Sequence, residues 1–447
     1  MVDFIPFQPE NPPAGGGEAG ITRPEDQAKL FLEQDQNQKN LLGKFLPFFL
    51  ILLVLFGVAL LVWRFILPKV GQQQEITLTY WGLWEPESVM NQVIEEYQKN
   101  HPHVKINYVY QSIKDYRERL ASSLAQGKGP DLFRFHNSWV PMLKNELASI
   151  PAEVMSAGTF ENLYYEVARN DLRLNNGYVG IPLEIDGLAL FVNDSLFQAG
   201  GKTYPKTWNE LRKVSQELCV SDAPDRKCAP GAKILTAGVA LGRTENVDHW
   251  SDILGLMLLQ NGADPAHPEA CTTVAGEEQC YGKDTLKYYS LFYSTDHVWD
   301  ETLPSSTQAF AGGKLAMYFG PSWEIIEIKR LNPNLKFSIL PVPQLEDTNI
   351  AWASYWVEGV SKRSANQAAA WDFLKFISGK DIMEKLYKSE SELSPARPFG
   401  EIYSRTDMAD LLKTDKYVGA YINQAATSRS WYLSSRTFDN GLNDKII

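Results

Sequence analysis

Runs of basic residues are missing from this 447-residue sequence, and acidic residues outnumber basic ones by 54 to 43. Proteins that bind the phosphate backbone of nucleic acids need clustered Lys and Arg to displace its counterions. The composition therefore excludes a nucleic-acid-binding surface of that kind. Hydrophobic residues make up 44% of the chain, which is enough to bury more than one core.

Catalytic motifs with a fixed local spacing are also missing. The sequence has no Gly-x-Ser-x-Gly turn, no His-Glu-x-x-His motif and no phosphate-binding loop, and its six His are scattered. These absences argue against an enzyme of those classes, and we expect no metal ion and no cofactor. One enzyme class stays open as the alternative, because the two carboxylates of a glycoside hydrolase need not be close in sequence.

Cysteine is rare, and the four cysteines form two pairs with the same spacing, Cys219 with Cys228 and Cys271 with Cys280. An even number of cysteines in polar loops is typical of disulfides, although free thiols or a four-cysteine metal site are alternatives. Zinc ligands usually lie closer together than these cysteines do. Two local disulfides are therefore the favoured interpretation, and they would place this part of the chain in an oxidising compartment.

One long stretch of the sequence has no charge at all. Residues 45–63 are uncharged and almost entirely apolar, and about twenty such residues in a helix suffice to cross a membrane. We predict a transmembrane signal anchor over residues 45–67. A cleaved signal peptide fits less well, because 44 residues precede the stretch and no small-x-small cleavage site follows it.

The segments beside the predicted anchor are polar. Residues 1–44 are rich in Pro, Gly, Gln and Asn and predict a disordered tail, whereas residues 68–75 form a short linker. The positive charges on the two sides of the anchor are nearly balanced, so they do not decide its orientation. The cysteine pairs favour a single-pass protein in the plasma membrane, with a cytoplasmic N-terminus and residues 76–447 outside.

Residues 76–447 alternate between strand-like and helix-like segments. Glu75 to Trp81 and Val104 to Tyr110 are rich in β-branched and aromatic residues, whereas Glu87 to Asn100 has apolar residues at helical spacing. Further on we expect a Thr-capped helix over Thr207 to Leu218, a helix over Ala309 to Met317, and a strand that begins where this helix ends, over Ala316 to Phe319. This order is typical of α/β folds with parallel sheets, and the length predicts two lobes.

Five stretches, in the right order, resemble the family 1 extracellular solute-binding proteins of ABC sugar importers, the maltose-binding-protein-like class. They are ITLTYWGLWEP, GKGPDLF, IPLEIDGLALFVNDSLFQAGGKTYPKTWNEL, AFAGGKLAMYFGPSW, and AWDFLKFISG with SPARPFG. The resemblance covers about residues 76–440. The sequence departs from many relatives at its anchor, because no Cys near residues 45–67 could carry a lipid. A retained helix would replace the lipid as the tether.

The resemblance implies a two-lobed, Venus-flytrap fold of the kind found in periplasmic binding proteins. We expect lobe 1 to contain about residues 76–184 and 306–342, and lobe 2 about residues 185–305 and 343–447. The chain would cross between them near Pro182 to Asp186, near Ser305 and near Pro341 to Pro343. A solute bound between the lobes would favour the closed state.

A sugar site needs aromatic rings for the apolar sugar faces and fixed polar groups for the hydroxyls. The resemblance implies that Trp323, after a Gly-containing turn, stacks on the ligand, and that Trp352 or Trp356 has a similar role. Trp84 also lies in a turn-rich stretch, where core packing and ligand contact both stay open.

Polar ligand contacts are expected from four residues, namely Glu85, Asn137, Asp186 and Arg397. Carboxylates suit sugar hydroxyls because each oxygen accepts hydrogen bonds, and charge-assisted bonds are strong. Two of these residues have structural alternatives, since Glu85 could cap the following helix and Asp186 could brace the hinge.

The resemblance thus implies a monomer that captures a small solute, most simply a neutral sugar, and delivers it to ABC permease subunits. A ligand sensor with the same fold is the second alternative. The identity and size of the solute depend on the geometry of the cleft, which the sequence does not reveal.

Overall fold

The structure is a computed structural model, and it describes residues 47–61, 64, 74–175, 177–264, 267–393 and 397–431. The chain divides into two compact units, Met1–Gln74 and Glu75–Ile447. The expected disordered tail, residues 1–44, lies outside the described residues, as does most of the linker.

In the first unit, residues 47–61 form a helix whose apolar side chains are largely exposed. Within the described part of the chain, we found no helix with both the length and the apolar character needed to cross a membrane.

Two five-stranded sheets form the centre of the second unit. The first has the strand order β2-β1-β3-β15-β6 and the second the order β13-β7-β12-β9-β8. The strands of these sheets and of three two-stranded sheets are β1 Ile76–Gly82, β2 Val104–Tyr110, β3 Leu132–His136, β4 Arg173–Leu174, β5 Gly177–Tyr178, β6 Ile181–Pro182, β7 Ala189–Asn193, β8 Val220–Ser221, β9 Ile234–Val239, β10 Thr272–Val274, β11 Glu277–Gln279, β12 Leu315–Gly320, β13 Phe337–Leu340, β14 Ala351–Trp352, β15 Trp356–Val360 and β16 Ser428–Arg429.

Helices cover both sheets and bury their apolar faces against them. They are Glu87–Asn100, Tyr116–Ala125, Val140–Leu143, Ala157–Leu163, Glu166–Asp171, Asp194–Gly200, Trp208–Leu218, Trp250–Gln260, Tyr281–Ser294, Ser306–Ala311, Glu324–Leu331, Gln367–Ile377, Lys380–Ser391 and Gly419–Ala425, with 3₁₀ turns at Asn137–Trp139 and Thr406–Leu411. β1 pairs in parallel with β2 and β3, and β15 pairs antiparallel to β3. We call the part built on the first sheet lobe 1 and the part built on the second sheet lobe 2.

Local sequence signals explain several element boundaries. The Thr207 side chain accepts a hydrogen bond from the Glu210 backbone N–H, and the Glu210 carboxylate accepts one from the Thr207 backbone N–H, which is a capping box at the expected helix start. The strand expected over Ala316 to Phe319 is present within β12, but the length of the helix expected over Ala309 to Met317 was wrong. The helix ends at Ala311, because Gly313 adopts a left-handed conformation and the buried apolar run that follows enters the sheet as β12.

The lobe boundaries expected for the second half of the chain were also wrong. β12 and β13, within residues 306–342, pair with β7 in the second sheet, whereas β15, within residues 343–447, pairs with β3 in the first sheet. Sequence order does not reveal this exchange, because strand pairing joins segments far apart in the chain.

The chain passes between the two sheets at residues 183–188, from β6 to β7, and again at residues 341–355, from β13 to β15. Both crossings lie at positions that were predicted from the sequence. The crossing expected near Ser305 was wrong, because the strands before and after it, β9 and β12, are neighbours in the second sheet. Ser305 instead caps the helix Ser306–Ala311.

Both predicted disulfides are present in lobe 2. One joins Cys219 to Cys228 and the other joins Cys271 to Cys280. The second closes the exposed hairpin formed by β10 and β11. The alternatives of free thiols and a four-cysteine metal site are therefore excluded.

Candidate functional site

A cavity of about 590 Å³ lies between the two lobes. Its walls come from the carboxyl ends of strands in both sheets and from the two crossing segments, as expected for ligand sites in open α/β sheets. The lining residues are Trp84, Tyr110, Ile113, His136, Glu184, Asp186, Gly187, Leu188, His249, Asp252, Pro321, Ser322, Trp323, Ile326, Trp352, Ser354, Trp356, Arg397, Gly400, Glu401 and Ile402.

The lobe 1 wall is built around Trp356, at the start of β15. Its ring meets Trp84 edge-on at 5.7 Å between centroids and His136 at 5.2 Å. Trp84 is 41% exposed and has a positive φ of 71°, which is uncommon for a bulky residue. The turn after β1 thus exposes the Trp84 indole to solvent at the cavity. Backbone strain of this kind is common at binding sites.

His136 belongs to the same wall and is uncharged at neutral pH. Burial lowers its pKa to about 4, because the charged imidazolium would lose its hydration. Its two ring nitrogens lie 2.7 Å from the Ser138 hydroxyl and 3.0 Å from the Ser354 hydroxyl. The ring is therefore fixed in orientation and offers an apolar edge.

The lobe 2 wall contains two tryptophans in different environments. Trp323 is 51% exposed and meets the His249 ring edge-on at 5.2 Å. Trp352 is only 1% exposed, and its indole N–H donates to Asp252 Oδ1 at 3.0 Å. Trp323 thus presents a free face, whereas Trp352 lines the cavity from a fixed position.

Asp186 lies in the first crossing segment and accepts hydrogen bonds from Gly187 and Ser322. Its carboxylate accepts from the Gly187 N–H at 2.7 Å, from the Ser322 N–H at 3.1 Å and from the Ser322 hydroxyl at 2.8 Å. Burial raises its pKa to about 7, although these donors oppose the shift. These contacts are the ones expected if Asp186 braces the hinge. Asp186 also lines the cavity.

Glu184 lines the cavity two residues earlier. One carboxylate oxygen accepts from the Trp356 N–H at 2.5 Å. Burial raises the pKa of Glu184 well above its usual range, and repulsion from Glu401 and Asp186 adds to the effect. This carboxyl group therefore takes up a proton much more readily than an exposed one.

A buried charge cluster lies behind the lobe 1 wall, centred on Arg134 of β3. The guanidinium donates to Glu358 Oε1 at 2.5 Å, to Glu401 Oε1 at 2.7 Å and to Glu85 Oε1 at 2.8 Å. Glu85, Glu390 and Glu401 place carboxylate oxygens within 4.8 Å of one another, a spacing that could suit a metal ion. Arg134 already supplies positive charge there, so we assign no metal to the cluster.

The chain matches a known protein family. The model of the family described as bacterial extracellular solute-binding protein matches residues 92–398, which is more than half of the chain. The chain belongs to this family.

Named relatives of this solute-binding protein are distant. A multiple sugar-binding protein of Streptococcus mutans is 20% identical over 71% of this chain and 74% of its own length. A maltotriose-binding protein of Pyrococcus abyssi is 21% identical over 68% of this chain and 63% of its own length. Both are binding proteins by name.

Among solved structures, a cyclo/maltodextrin-binding protein complexed with maltotetraose superposes with a TM-score of 0.61 and 15% identity. The match covers 80% of this chain and 87% of that one. At this identity the likeness shows the fold alone, a two-lobed α/β solute-binding fold.

Five of the seven residues named from the sequence as ligand contacts line the cavity, namely Asp186, Trp323, Trp352, Trp356 and Arg397. Trp352 and Trp356 both reach the cavity, because Trp352 lies in the second crossing against the lobe 2 helix Trp250–Gln260 and Trp356 begins β15 of lobe 1. Arg397 lies 3.8 Å from Glu390, whose pKa burial raises to about 8.

The structure places the other two, Glu85 and Asn137, behind the wall. Glu85 pairs with Arg134, and the helix Glu87–Asn100 has no side-chain cap, so Glu85 is not a cap either. Asn137 donates to Asp171 at 2.8 Å and accepts from the Tyr355 N–H at 3.2 Å. Both support the cavity wall without lining the cavity described here.

Sequence reasoning missed Glu184, His136, His249 and Asp252 as cavity residues. His136 ends β3, so the rule that strand ends line the site could have found it. His249 and Asp252 lie at the start of the helix Trp250–Gln260, where no comparable sequence signal marks them. Only the packing of that helix against Trp352 brings them to the cavity.

Proposed function

We propose that this solute-binding protein captures a saccharide between its lobes outside the cytoplasm and delivers it to an ABC permease. The observation that carries the proposal is the composition of the cavity. Indole rings from both lobes face a space that also contains carboxylates, so one ligand could stack on rings and donate hydroxyl hydrogen bonds to acceptors. The cavity volume lies within the roughly 300–1,000 Å³ of small-molecule sites.

Capture depends on closing the lobes around the solute. Trp356 and Trp84 belong to lobe 1, whereas Trp323 belongs to lobe 2, so a ligand that touches all three makes its full set of contacts only when the lobes are close. Differential contact of this kind is what allows a ligand to shift a conformational equilibrium. The names of the two relatives support a sugar as the solute.

Binding is tested with the full-length chain in detergent against a panel of mono- and oligosaccharides, polyols and phosphodiesters. We expect a saturable rise in melting temperature with a saccharide, because the ligand binds only the folded state. Trp323→Ala should weaken binding about tenfold or more, since an exposed ring contributes contact rather than folding stability. Tyr204→Ala, which removes a comparably exposed ring outside the cavity, is the matched control.

If no saccharide shifts the melting temperature, the proposal fails. Hydrolysis of a bound glycan would instead support the glycan-active alternative.

We also propose that residues 45–67 anchor the protein in the plasma membrane, with residues 1–44 in the cytoplasm. The uncharged run of residues 45–63 supports this, and the two disulfides support an oxidising location for the binding unit. Alkaline extraction should leave the full-length chain in the membrane fraction and release a variant that lacks residues 45–67. Protease added to spheroplasts should digest the binding unit; protection of that unit would reverse the proposed orientation.

Delivery to a permease is tested by co-purification from the native membrane after cross-linking. Recovery of ABC permease subunits supports transport, whereas recovery of a signalling kinase favours the sensor alternative.

A further inference from the structure

The charged side chains that line the cavity are mostly acidic. The acidic residues are Glu184, Asp186, Asp252 and Glu401. The basic residues are Arg397 and the two histidines. Glu401 is paired with Arg134. Among the described residues, the other three carboxylates have no Lys or Arg within ion-pair distance, so the cavity is short of positive charge.

Two of these carboxylates have only one hydrogen-bond donor each among the described residues. Asp186 is satisfied by Gly187 and Ser322, as described above. Glu184 accepts one hydrogen bond, from the Trp356 N–H, and Asp252 accepts one, from the Trp352 indole. In the described part of the chain, each therefore keeps one carboxylate oxygen without a donor, although a carboxylate can accept several.

The groups that face Glu184 do not compensate its charge. Asp186 lies two residues away and Glu401 comes from the loop before Ile402, and both raise the pKa of Glu184 after burial itself. Arg134 is the nearby cation, but three other carboxylates already share its guanidinium.

Asp252 is in a similar position in lobe 2. The cationic group that faces it is His249, whose Nε2 lies 2.9 Å from Glu324, and Asp248 adds a further negative charge beside the imidazole. Burial raises the pKa of Asp252 to about 6, opposed by His249 and the Trp352 hydrogen bond. One imidazole thus faces three carboxylates.

Aromatic faces complete the environment. Trp352 bonds to Asp252, and Trp323 lies against His249 with half of its surface free. A cation placed beside Asp252 would gain from the carboxylate, and the exposed Trp323 ring lining the same cavity would offer its face to the rest of the ligand.

We propose that the saccharide bound in this cavity carries a protonated amine, and that Glu184 and Asp252 accept its N–H groups, one carboxylate from each side of the cavity. The ligand class is an amino sugar or an oligosaccharide that contains one. This inference rests on the proposed function, because it specifies the ligand of the same site.

The test uses calorimetry on the full-length chain in detergent with matched ligands that differ at one position. Glucosamine, galactosamine and mannosamine, and the β-1,4-linked dimer of glucosamine, are each compared with their N-acetylated and hydroxyl counterparts. We expect the amine to bind about tenfold tighter or more than either neutral counterpart. This preference should shrink as ionic strength rises, since screening weakens attraction between charges.

Proton release gives a second readout. An ammonium beside a carboxyl group favours its ionised form and lowers its pKa, so amine binding should expel protons from the cavity. Titrations in buffers of different ionisation enthalpy measure this release directly. The neutral counterparts should release fewer protons.

Variants identify the acceptors. Glu184→Gln and Asp252→Asn keep the side-chain shape and should each reduce the amine preference about threefold or more. Glu346→Gln, an exposed carboxylate outside the cavity, is the matched control and should leave the preference unchanged.

The outcomes separate the two proposals. If a neutral sugar binds and no amine is preferred, the amine inference is overturned while the sugar receptor stands. An amine preference that survives both Glu184→Gln and Asp252→Asn also overturns it. If no saccharide of any kind binds, the proposed function itself fails.

Discussion

Asp186 and Ser322 join the two lobes at the edge of the cavity. Asp186 belongs to the segment that leaves the first sheet, and Ser322 follows β12 of the second sheet. The Ser322 hydroxyl donates to the Asp186 carboxylate at 2.8 Å and its backbone N–H donates at 3.1 Å. A change in this contact should therefore alter both stability and lobe movement.

Asp186→Asn should flatten the pH dependence of stability. The folded pKa of about 7 lies above the usual value of about 3.9 for an unfolded Asp. Between these values the folded state binds more protons, so the wild-type free energy of unfolding falls as pH rises from about 4 to about 7. Urea unfolding across this range should show a shallower slope for the variant.

The control for that series is Asp381→Asn, which changes an exposed aspartate and should keep the wild-type slope. Equal slopes in wild type and Asp186→Asn would contradict the role assigned to Asp186. Other buried carboxyl groups, such as Glu184 and Glu390, contribute to the slope that remains.

Arg134→Met should be strongly destabilising. The substitution leaves Glu85, Glu358 and Glu401 buried without their shared cation, and breaking a buried ion pair in this way costs about 3–5 kcal/mol. Because the variant lacks the cation that lowers the pKa of these carboxyl groups, they take up protons more readily in acid, and the loss in the free energy of unfolding should be smaller near pH 5 than near pH 8. Chemical denaturation at both pH values measures this.

Arg330→Met is the matched control, because Arg330 is exposed and pairs with Glu327 one helical turn away. Its effect should stay below about 0.5 kcal/mol. Adding Glu358→Gln to Arg134→Met should recover part of the lost stability. A loss of equal size in both Arg variants would argue that burial of the charge cluster does not matter.

Gly255→Ala should weaken ligand binding through Trp352. A Cβ at Gly255 would lie 2.5 Å from Trp352 Cη2 and 2.7 Å from Cζ3, so the indole has to move. Because Trp352 lines the cavity, we expect about a tenfold loss of affinity and a shift in tryptophan emission, with a destabilisation of about 1–3 kcal/mol from overpacking.

Gly158→Ala is the control for this substitution, since it also replaces a helical glycine but its Cβ meets nothing within 4 Å. It should bind normally and unfold at the same temperature or slightly higher. Unchanged binding by Gly255→Ala would show that the Trp352 position is not critical for the ligand.

The two disulfides should differ in their contribution to stability. Cys219 is buried and Cys228 packs against the core, whereas Cys271 and Cys280 close an exposed hairpin. Both enclose loops of equal length, so the entropic effect on the unfolded chain is similar, of the order of 2–3 kcal/mol. Replacing Cys219 and Cys228 by Ser should cost more, because it also buries a polar group.

Urea unfolding of the two double-Ser variants measures the difference. The Cys271 and Cys280 variant should mainly lose protection from hydrogen exchange within β10 and β11, because a two-stranded hairpin is only marginally stable alone. A larger global loss from this variant than from the other would contradict the expectation.

The sequence by itself determined most of the local elements and the family. Alternating strand and helix patterns predicted β2 and the helix Glu87–Asn100 with the bounds that the structure shows, and Thr207 with Glu210 marked a helix start. Cysteine spacing predicted both disulfides. These features depend on residues close together in the chain, where propensity, capping and short loops act directly.

Only the tertiary structure decided which segments share a lobe and which polar residues reach the cavity. β15 joins the first sheet and β12 joins the second because strand pairing and burial over long sequence separations select the register, which local patterns do not encode. For the same reason Glu85 became part of the Arg134 cluster, while Glu184 and Asp252 face the cavity. A carboxylate's role depends on which charges and donors the fold places around it, and that environment exists only once distant segments have packed together.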